Sequence, residues 1–520
     1  MGAPPESRYI RSAGMMKGQN IVRNAAALMA SQPLTWALTL IFAVEVPRNV
    51  GPSEWGEWII AWAVGNLAKA VLDFGVNTVL FKSVSRRSKD AERPIGVVLM
   101  LRLLLSPVLV LGMVGFSIVA NYSEHTRLVV ALVGLSLAAA YVATPVVFGL
   151  QAFEKMHLTA AGNVLSSLIL TAGAVALVKL FALGIIAICT VAVASQVAGL
   201  ILQWVWLRRS IRFRPTVDWH LLGQLLKDGL PYWATFSFFT LYALLDGVLL
   251  SLLGSTHENG WYGVAVQMIA TLGFLPYAVT TAVFPSLSRS IHTDREESAK
   301  LARRSFRLLV TLSLPMAVGL ALISHNVVTT IYGAWFSPAA DALTVLALTL
   351  PPVYIATLVN GFVIAADRQI QWTWVMAGMC ALNLPLNLFT IPYFHSHSGN
   401  GALGAALALL ATDFATGVAA LFLLPSSLRA AVASTLPAIA RSALATIAMA
   451  AVVWPLRGVF LPIPILAGGA IFAVLAYVLR VIPKEELHVL AGLARKLARK
   501  PLNLFRRPVQ ADVVADVEVA

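Results

Sequence analysis

Charged residues are scarce in this sequence, and their scarcity excludes an ordinary soluble domain. Only 12% of the residues are Asp, Glu, Lys or Arg, while 58% are hydrophobic. The mean hydropathy is +0.79. Soluble globular domains carry about 25% charged residues. A chain with this composition is expected to be an integral membrane protein.

Several functional signatures are also missing. The two cysteines, Cys189 and Cys380, both lie in apolar stretches, so no disulfide framework is expected. No Gly-x-x-x-x-Gly-Lys-Ser/Thr loop is present, which argues against direct ATP hydrolysis. His395 and His397 share a short loop without a cysteine or a further histidine nearby. We therefore expect neither a metal site nor a cofactor.

The segments between the apolar stretches are too short to fold as domains. The longest are 82–94, 208–228 and 287–307. Membrane enzymes that transfer sugars usually need a sizeable extramembrane loop with acidic residues, and this chain has none. The sequence therefore predicts a protein that is not an enzyme and that works within the membrane or at its surfaces.

Long apolar stretches dominate what is present. Most are long enough for a helix to cross about 30 Å of hydrocarbon. They predict an all-α, polytopic membrane protein with about fourteen transmembrane helices. The fourteen stretches are 23–46, 56–81, 95–120, 128–150, 157–178, 182–207, 229–254, 259–286, 308–330, 341–366, 371–393, 401–424, 442–456 and 463–479.

Most of the basic residues fall in alternate gaps between these stretches. The gaps that follow the second, sixth and eighth stretches are rich in Lys and Arg, as are both termini. The positive-inside rule then places both termini in the cytoplasm of a multi-pass protein of the bacterial inner (plasma) membrane. Because the +14 net charge is spread over one membrane face, we expect the lipid bilayer, and not nucleic acid, as its partner.

The sequence also repeats itself. Phe81, Ser83 and Ser85 recur 203 positions later as Phe284, Ser286 and Ser288. This spacing predicts two parallel six-helix lobes with two further helices, an arrangement in which transporters bind substrate between the lobes. The predicted parts are a cytoplasmic N-terminal arm (1–22), an N-lobe (23–207), a cytoplasmic linker (208–228), a C-lobe (229–424), helices 13 and 14 (425–482) and a cytoplasmic amphipathic basic tail (483–520).

Short motifs in order along residues 20–425 resemble those of a known family. The residues that carry the signature are Arg48, Gly51, Pro52, Gly56, Phe284, Pro285 and Asn387. With them the chain resembles the polysaccharide-biosynthesis membrane proteins, the oligosaccharide-lipid flippases of the multidrug/oligosaccharidyl-lipid/polysaccharide exporter superfamily. In the last motif, which begins at Asn383, Pro385 replaces the apolar residue that is usual in the family.

The resemblance implies a carrier that flips polyprenyl-pyrophosphate-linked oligosaccharide from the cytoplasmic to the outer leaflet by alternating access. Its product would serve cell-surface polysaccharide biosynthesis, such as that of lipopolysaccharide. A polysaccharide polymerase or glycosyltransferases of the same pathway are candidate partners. The alternatives are an ion-coupled multidrug exporter of the same superfamily, a lipid II flippase, or a scaffold that transports nothing.

A few charged and polar side chains are candidates for binding the pyrophosphate. Lys69 lies near the middle of the second stretch with Asp73 one turn later, so it faces a cavity or forms an internal ion pair. Arg102 either contacts substrate or extends to the cytoplasmic surface. Arg23 and Asn24 lie at the cytoplasmic edge of the first stretch, where topology alone also explains Arg23.

A second set is predicted to act in gating or coupling. Asp246, in the outer part of the seventh stretch, is a candidate proton or cation site or a structural acceptor. Asp413 is expected to be a buried, hydrogen-bonded acid. Equivalent turns of the two lobes are candidates for salt bridges between the lobes, with solvated turns as the alternative. Those turns hold Glu154, Lys155, Asp367 and Arg368.

Overall fold

The computed structural model describes residues 5–86, 91–209 and 215–481, with side chains from residue 31 onward apart from residues 85 and 86. These ranges contain helices and short connections but no strand. The earlier helices are α1 (Pro5–Asp73), α2 (Val76–Arg86), α3 (Glu92–Val119), α4 (Glu124–Ala152), α5 (Met156–Phe181), α6 (Ile185–Arg208), α7 (Trp219–Leu253), α8 (Thr256–Leu272) and α9 (Phe274–Ser290). The later ones are α10 (Arg295–Tyr332), α11 (Ala339–Ala347), α12 (Leu350–Ala365), α13 (Gln369–Ser398), α14 (Gly401–Leu423), α15 (Ser426–Ala433), α16 (Leu436–Leu456) and α17 (Pro462–Val478).

Ten of the described helices are long and apolar enough to cross a membrane, or twelve if each of two bent pairs is one span. One of these pairs is Ser31–Asp73 with Val76–Val84, bent by 57°. That count treats Ser31–Asp73 as one segment although Gly51 interrupts it, and it leaves aside the 17-residue α17. Each predicted apolar stretch lies in helical structure, and the protein is an all-α, multi-pass membrane protein.

Two breaks shape α1. The first is at Gly51, whose φ of 83° and ψ of 173° separate the first predicted span from the second. Pro52 adds to this break because it lacks an N–H group for the helical ladder. The second break follows Asp73, where Phe74 and Gly75 take φ values of 52° and 67° before α2 begins. The last carbonyl groups of α1 therefore lack helical partners and must bond to other groups.

The helices pack in two groups, which we call the N-lobe (α1 to α6) and the C-lobe (α7 to α14). In the N-lobe, α4 packs on α3 and α6, and α5 packs on α1 and α6. In the C-lobe, α13 packs on α7 and α14, and α11 packs on α8 and α14. Helix α16 joins the second group through α10 and carries α17 on its other side. Helix α1 also contacts α7 and α8, so it forms much of the contact between the lobes.

The two lobes repeat a local device at their helix starts. In the N-lobe, Glu54 Oε2 accepts a hydrogen bond from Ile185 N at the start of α6, at 2.7 Å. In the C-lobe, Glu258 Oε1 accepts one from Gly401 N at the start of α14, at 2.5 Å. In each case a carboxylate bonds to an N–H group that has no partner within its helix. The same device at matching positions accords with the internal repeat seen in the sequence.

The largest buried cluster joins the lobes at one end. We call the end that holds Gly51 the outer end, following the topology predicted from charge. There Trp55 and Val64 of α1 belong to the same buried cluster as Tyr262 and Val264 of α8. Towards the cytoplasmic end, one buried cluster is formed by C-lobe helices with α15, and the other joins N-lobe helices to Leu225 of α7. Helix α2 also packs on α7 there. In this structure the lobes therefore meet at the outer end through α1 and α8 and at the cytoplasmic end through α2 and α7.

Candidate functional site

A buried ion pair occupies the break at the end of α1. Arg102 of α3 is fully buried, and its Nη2 donates to Asp73 Oδ1 at 2.7 Å and to Asn77 Oδ1 at 3.0 Å. Its Nη1 donates to the carbonyl of Leu72 at 3.2 Å. Because the break frees that carbonyl from the helical ladder, one side chain satisfies both the carboxylate and the backbone.

An aromatic ring closes the pair from another side. The guanidinium carbon of Arg102 lies 4.1 Å from the centre of the Tyr141 ring, a cation–π contact. The Tyr141 hydroxyl donates to the carbonyl of Leu72 at 2.6 Å. Helices α1, α3 and α4 are thus held together around one buried positive charge.

This geometry corrects two expectations. The alternative in which Arg102 extends to the cytoplasmic surface is wrong, because its side chain is fully buried and bonded. The alternative in which Asp73 forms an internal ion pair with Lys69 is also wrong, because the ion-pair partner of Asp73 is Arg102. The sequence did not reveal the partner because Arg102 lies on another helix. Asn77, one turn after Asp73, also belongs to this cluster and was missed.

Lys69 has no counter-ion among the residues that the structure describes. Its side chain is half-buried, and no ion pair or hydrogen bond joins it to the described residues. The neighbouring residue Ala70 offers its carbonyl to two side chains of α7, Trp233 Nε1 at 3.1 Å and Ser237 Oγ at 3.3 Å. Lys69 therefore lies beside the contact between α1 and α7.

The C-lobe holds a buried carboxylate of a different kind. Asp246 of α7 is 1% exposed, and its Oδ1 accepts from Asn383 Nδ2 at 3.0 Å and from Asn387 Nδ2 at 2.7 Å. Two other oxygens of this cluster, Asp246 Oδ2 and Asn387 Oδ1, are buried without a hydrogen-bond partner among the described residues. The two asparagines are four residues apart, so both face the same side of α13.

A second acid extends the cluster. Asp413 of α14 is 7% exposed, and its Oδ1 accepts from the Tyr242 hydroxyl at 2.6 Å. Thr412 Oγ1 joins the two acids, since it accepts from Asn383 Nδ2 at 3.3 Å and from the Tyr242 hydroxyl at 3.2 Å. We call Asp246, Asp413 and these neighbours the acid cluster.

In the described part of the chain, no Lys, Arg or His pairs with either carboxylate of the acid cluster. The expectation that Asp413 is a buried, hydrogen-bonded acid agrees with its contacts. Tyr242 and Thr412 were not among the predicted residues. The i,i+4 spacing of Asn383 and Asn387 was the signal that could have pointed to a shared site for Asp246.

The signature residues of the outer end form a contact between the lobes. Ser53 Oγ lies 3.1 Å from Thr256 Oγ1, a pair separated by the 203 residues of the internal repeat. A Cβ at Gly56 would collide with the carbonyl of Thr256, and one at Gly260 would collide with the carbonyl of Pro52. We call these five residues the outer clasp, in which glycine allows the helices to approach closely.

The remaining signature residues lie apart. Arg48 is exposed, Phe284 and Pro285 lie in α9, and Asn387 belongs to the acid cluster. The side chains of Arg23, Asn24 and the arm 1–22 lie outside those that the structure describes, and the tail 483–520 lies outside the described residues.

The proposed salt bridges between the lobes are not formed by Asp367 and Arg368. Asp367 Oδ2 lies 3.9 Å from His292 Nε2, and Arg368 Nη1 donates to the carbonyl of Leu423 at 3.4 Å. Both contacts stay within the C-lobe, because these residues follow α12 on the side of α9 and α14. Glu154 and Asp367 nevertheless take the same left-handed conformation, with φ values of 58° and 56°.

Comparison with known proteins gives the family. The model of the polysaccharide biosynthesis protein family matches residues 46–341, more than half of the chain. The chain belongs to this family. The predicted family is thereby confirmed, and the match includes the outer clasp, Lys69, the buried ion pair and Asp246.

One curated relative is similar over part of its length. Over 193 residues the chain is 28% identical to the probable flippase AglR of Haloferax volcanii. That match covers 36% of this chain and 39% of AglR, so it spans well under half of the relative's length.

Solved structures show the same fold. The lipid II flippase MurJ in an inward closed conformation aligns with a TM-score of 0.69 and 16% identity, covering 88% of this chain and 98% of that one. An inward-facing multidrug MATE transporter aligns with a TM-score of 0.55 and 14% identity, covering 77% and 95%. At these identities the likeness concerns the fold alone, which this chain shares with both transporters.

Proposed function

We propose that this protein flips polyprenyl-pyrophosphate-linked oligosaccharide from the cytoplasmic to the outer leaflet of the bacterial inner membrane, with no enzymatic step. The observation that carries the proposal is the charge of Lys69. It lies beside the contact between α1 and α7, and no acid of the described chain forms an ion pair with it. A positive charge within a membrane span costs at least about 2.5–3.5 kcal/mol on insertion scales, so it marks a functional position.

The buried ion pair strengthens the assignment of Lys69. Arg102 neutralises Asp73, the acid that could otherwise have paired with Lys69 from one turn away. The ammonium group is therefore available for an anion. A pyrophosphate cannot cross hydrocarbon without such a charge, whereas its lipid tail can stay in the bilayer.

The contacts between the lobes also fit alternating access. The lobes meet at the outer end in the outer clasp and at the cytoplasmic end where α2 packs on α7. A carrier that opens to one side at a time must break one of these contacts and keep the other. We propose that the cytoplasmic contact opens for loading and that the outer clasp opens for release.

The acid cluster is the proposed coupling site. Two carboxylates lie close together without a base, and oxygens of Asp246 and Asn387 lack partners among the described residues. Carboxylate, amide and hydroxyl oxygens are ligands that hard cations prefer. We propose that a monovalent cation or a proton binds at Asp246 and that its gradient drives the return of the carrier.

The test of the proposal is flipping of a fluorescent polyprenyl-pyrophosphate oligosaccharide in proteoliposomes. We expect wild-type protein to flip the probe and Lys69→Ala to reduce the rate about tenfold or more, since charge-assisted contacts are lost. Lys69→Arg should retain much of the rate. The matched control is Lys179→Ala. Lys179 Nζ lies 2.7 Å from Glu45 Oε2, and this ion pair is remote from α7.

The alternatives give different results in the same assay. Equal flipping rates for Lys69→Ala and Lys179→Ala would show that Lys69 does not bind the pyrophosphate. Flipping of lipid II in preference to other glycan lipids would identify a lipid II flippase. Absence of flipping for all glycan headgroups, with export of cationic drugs, would favour the multidrug exporter.

A further inference from the structure

A polar cavity outside the sites described above lies at the outer end of the C-lobe. Its volume is about 710 Å³, and it opens between α10, α11 and the end of α16. Its lining includes hydroxyl, amide, imidazole and guanidinium groups but no carboxylate among the described residues. The residues that matter for its chemistry are Ser324, His325, Asn326, Thr344, Trp454 and Arg457.

The cavity is held in shape by the connection between α16 and α17. Asn326 Nδ2 donates to the carbonyl of Arg457 at 3.2 Å and to that of Val459 at 2.6 Å. This one amide fixes the connection against α10. On the facing wall, Ser324 Oγ and Thr344 Oγ1 lie 2.6 Å apart and join α10 to α11. The walls are therefore fixed before any ligand arrives.

Arg457 supplies an uncompensated charge at this cavity. Its guanidinium carbon lies 3.9 Å from the centre of the Trp454 ring, so the side chain is held in place by stacking. No acid in the described chain pairs with it. The helix dipole alone would favour a basic residue at the end of α16. It does not explain why this residue lies at a cavity that His325 also lines.

The position of the cavity across the membrane indicates which anion it binds. Arg457 and Trp454 lie at the predicted outer ends of their spans, where tryptophan and arginine side chains reach the headgroup level of the bilayer. Trp454 and Phe460 are exposed there. An anion at this depth is carried by a lipid headgroup.

We propose that this cavity binds the phosphate headgroup of an anionic phospholipid of the outer leaflet. Arg457 forms the charge-assisted contact, the imidazole of His325 lines the same cavity, and the acyl chains stay along the lipid-facing side of α16. The site is separate from Lys69 and from the acid cluster, and it does not depend on the proposed flipping activity.

The experiment measures lipid retention. Purified protein is incubated with phosphatidylglycerol and phosphatidylcholine in equal amounts, and bound lipid is counted by native mass spectrometry. We expect a preference for phosphatidylglycerol that falls about tenfold in Arg457→Gln, as when one charge-assisted hydrogen bond is lost. Arg457→Lys should keep part of the preference because the charge remains.

The matched control is Arg48→Gln, which removes another exposed outer arginine outside the cavity. An equal fall in Arg48→Gln would overturn the site, because it would show attraction by overall charge. Thermal unfolding of each variant separates lost binding from lost folding, and Thr344→Val tests the cavity wall without touching a charge. Competition by inorganic phosphate as strong as by phosphatidylglycerol would overturn the lipid assignment in favour of a free anion.

Discussion

The two lobes share a helical plan but differ in the charge that they leave without a partner. In the N-lobe, Arg102 neutralises Asp73, and Lys69 has no ion-pair partner among the described residues. In the C-lobe, Asp246 and Asp413 are hydrogen-bonded to amide and hydroxyl groups, and no base of the described chain accompanies them.

On the proposed function, this difference would let one repeated scaffold serve two ligands of opposite charge. A buried ion without a counter-ion is expensive, so each lobe is suited to a ligand that compensates it. The N-lobe is suited to an anion and the C-lobe to a cation. Linked movement of the lobes would couple the two.

The largest expected effect comes from breaking the N-lobe ion pair. Arg102→Leu leaves the Asp73 carboxylate, which is 16% exposed, opposite an apolar side chain and removes a donor from the Leu72 carbonyl. Removing one partner of a buried pair costs about 3–5 kcal/mol. We expect a large fall in the unfolding temperature in detergent, with little folded protein recovered.

The double variant Arg102→Leu with Asp73→Asn tests the cause. It removes the buried charge as well, so it should regain much of the lost stability. If the double variant were as unstable as Arg102→Leu alone, packing of the arginine and not its charge would hold the N-lobe together.

The next effect concerns the C-lobe. Asp246→Asn keeps the shape and one acceptor oxygen but removes the charge. Loss of a charged hydrogen-bonding group costs about 1.5–3 kcal/mol, or roughly tenfold or more in binding. We expect flipping in proteoliposomes to lose its dependence on a Na⁺ or proton gradient while folding is retained.

Asp413→Asn is the companion variant for the acid cluster. Its carboxylate bonds to Tyr242 and meets Asp246 only through Thr412, so a smaller loss of ion dependence is expected. If the ion dependence of flipping were unchanged in both variants, the C-lobe would not bind the coupling cation. The acid cluster would then have a structural role only.

The outer clasp tests whether the lobes separate there. Gly56→Ala places a Cβ against the Thr256 carbonyl, and such overpacking costs about 1 kcal/mol or more. We expect the closed outer end to open several-fold more often. The measurement is the rate at which an impermeant thiol reagent modifies the thiol introduced by Ser53→Cys, with and without Gly56→Ala. Gly112→Ala is the control, because nothing lies within 4 Å of a Cβ there.

The helical fold could be predicted because the length and the ends of each long apolar stretch can be read directly from the sequence. Repeat matching also placed Glu154 and Asp367 in equivalent turns, which share a left-handed conformation. These features depend on residues close in sequence or on simple periodicity. The family could be predicted for the same reason, since its motifs are local.

Side-chain partners across helices could not be predicted. Arg102 meets Asp73 only because α1 breaks after that residue and α3 passes beside the break. Asp246 and Asn387 meet through the packing of α7 on α13. Spacing along one helix suggested that Lys69 pairs with Asp73. The buried guanidinium of Arg102 instead donates both to the Asp73 carboxylate and to the Leu72 carbonyl, which Lys69 does not.

The smallest expected effect concerns a second Arg–Asp pair, between Arg93 of α3 and Asp218 before α7, which lies at the surface. The Leu221 N–H group, and then Arg93, lower the pKa of Asp218 below its ordinary value of about 3.9. A lowered pKa in the folded state stabilises the fold above the unfolded-state value, and this contribution is lost as pH falls through the folded-state pKa. Asp218→Asn keeps a helix-capping side chain without the charge. Between about pH 5 and pH 2, the unfolding temperature of the wild type should therefore fall slightly more than that of Asp218→Asn. High salt should reduce the difference between the two proteins. Parallel profiles would show that this exposed pair, unlike its buried counterpart at Arg102, contributes nothing measurable.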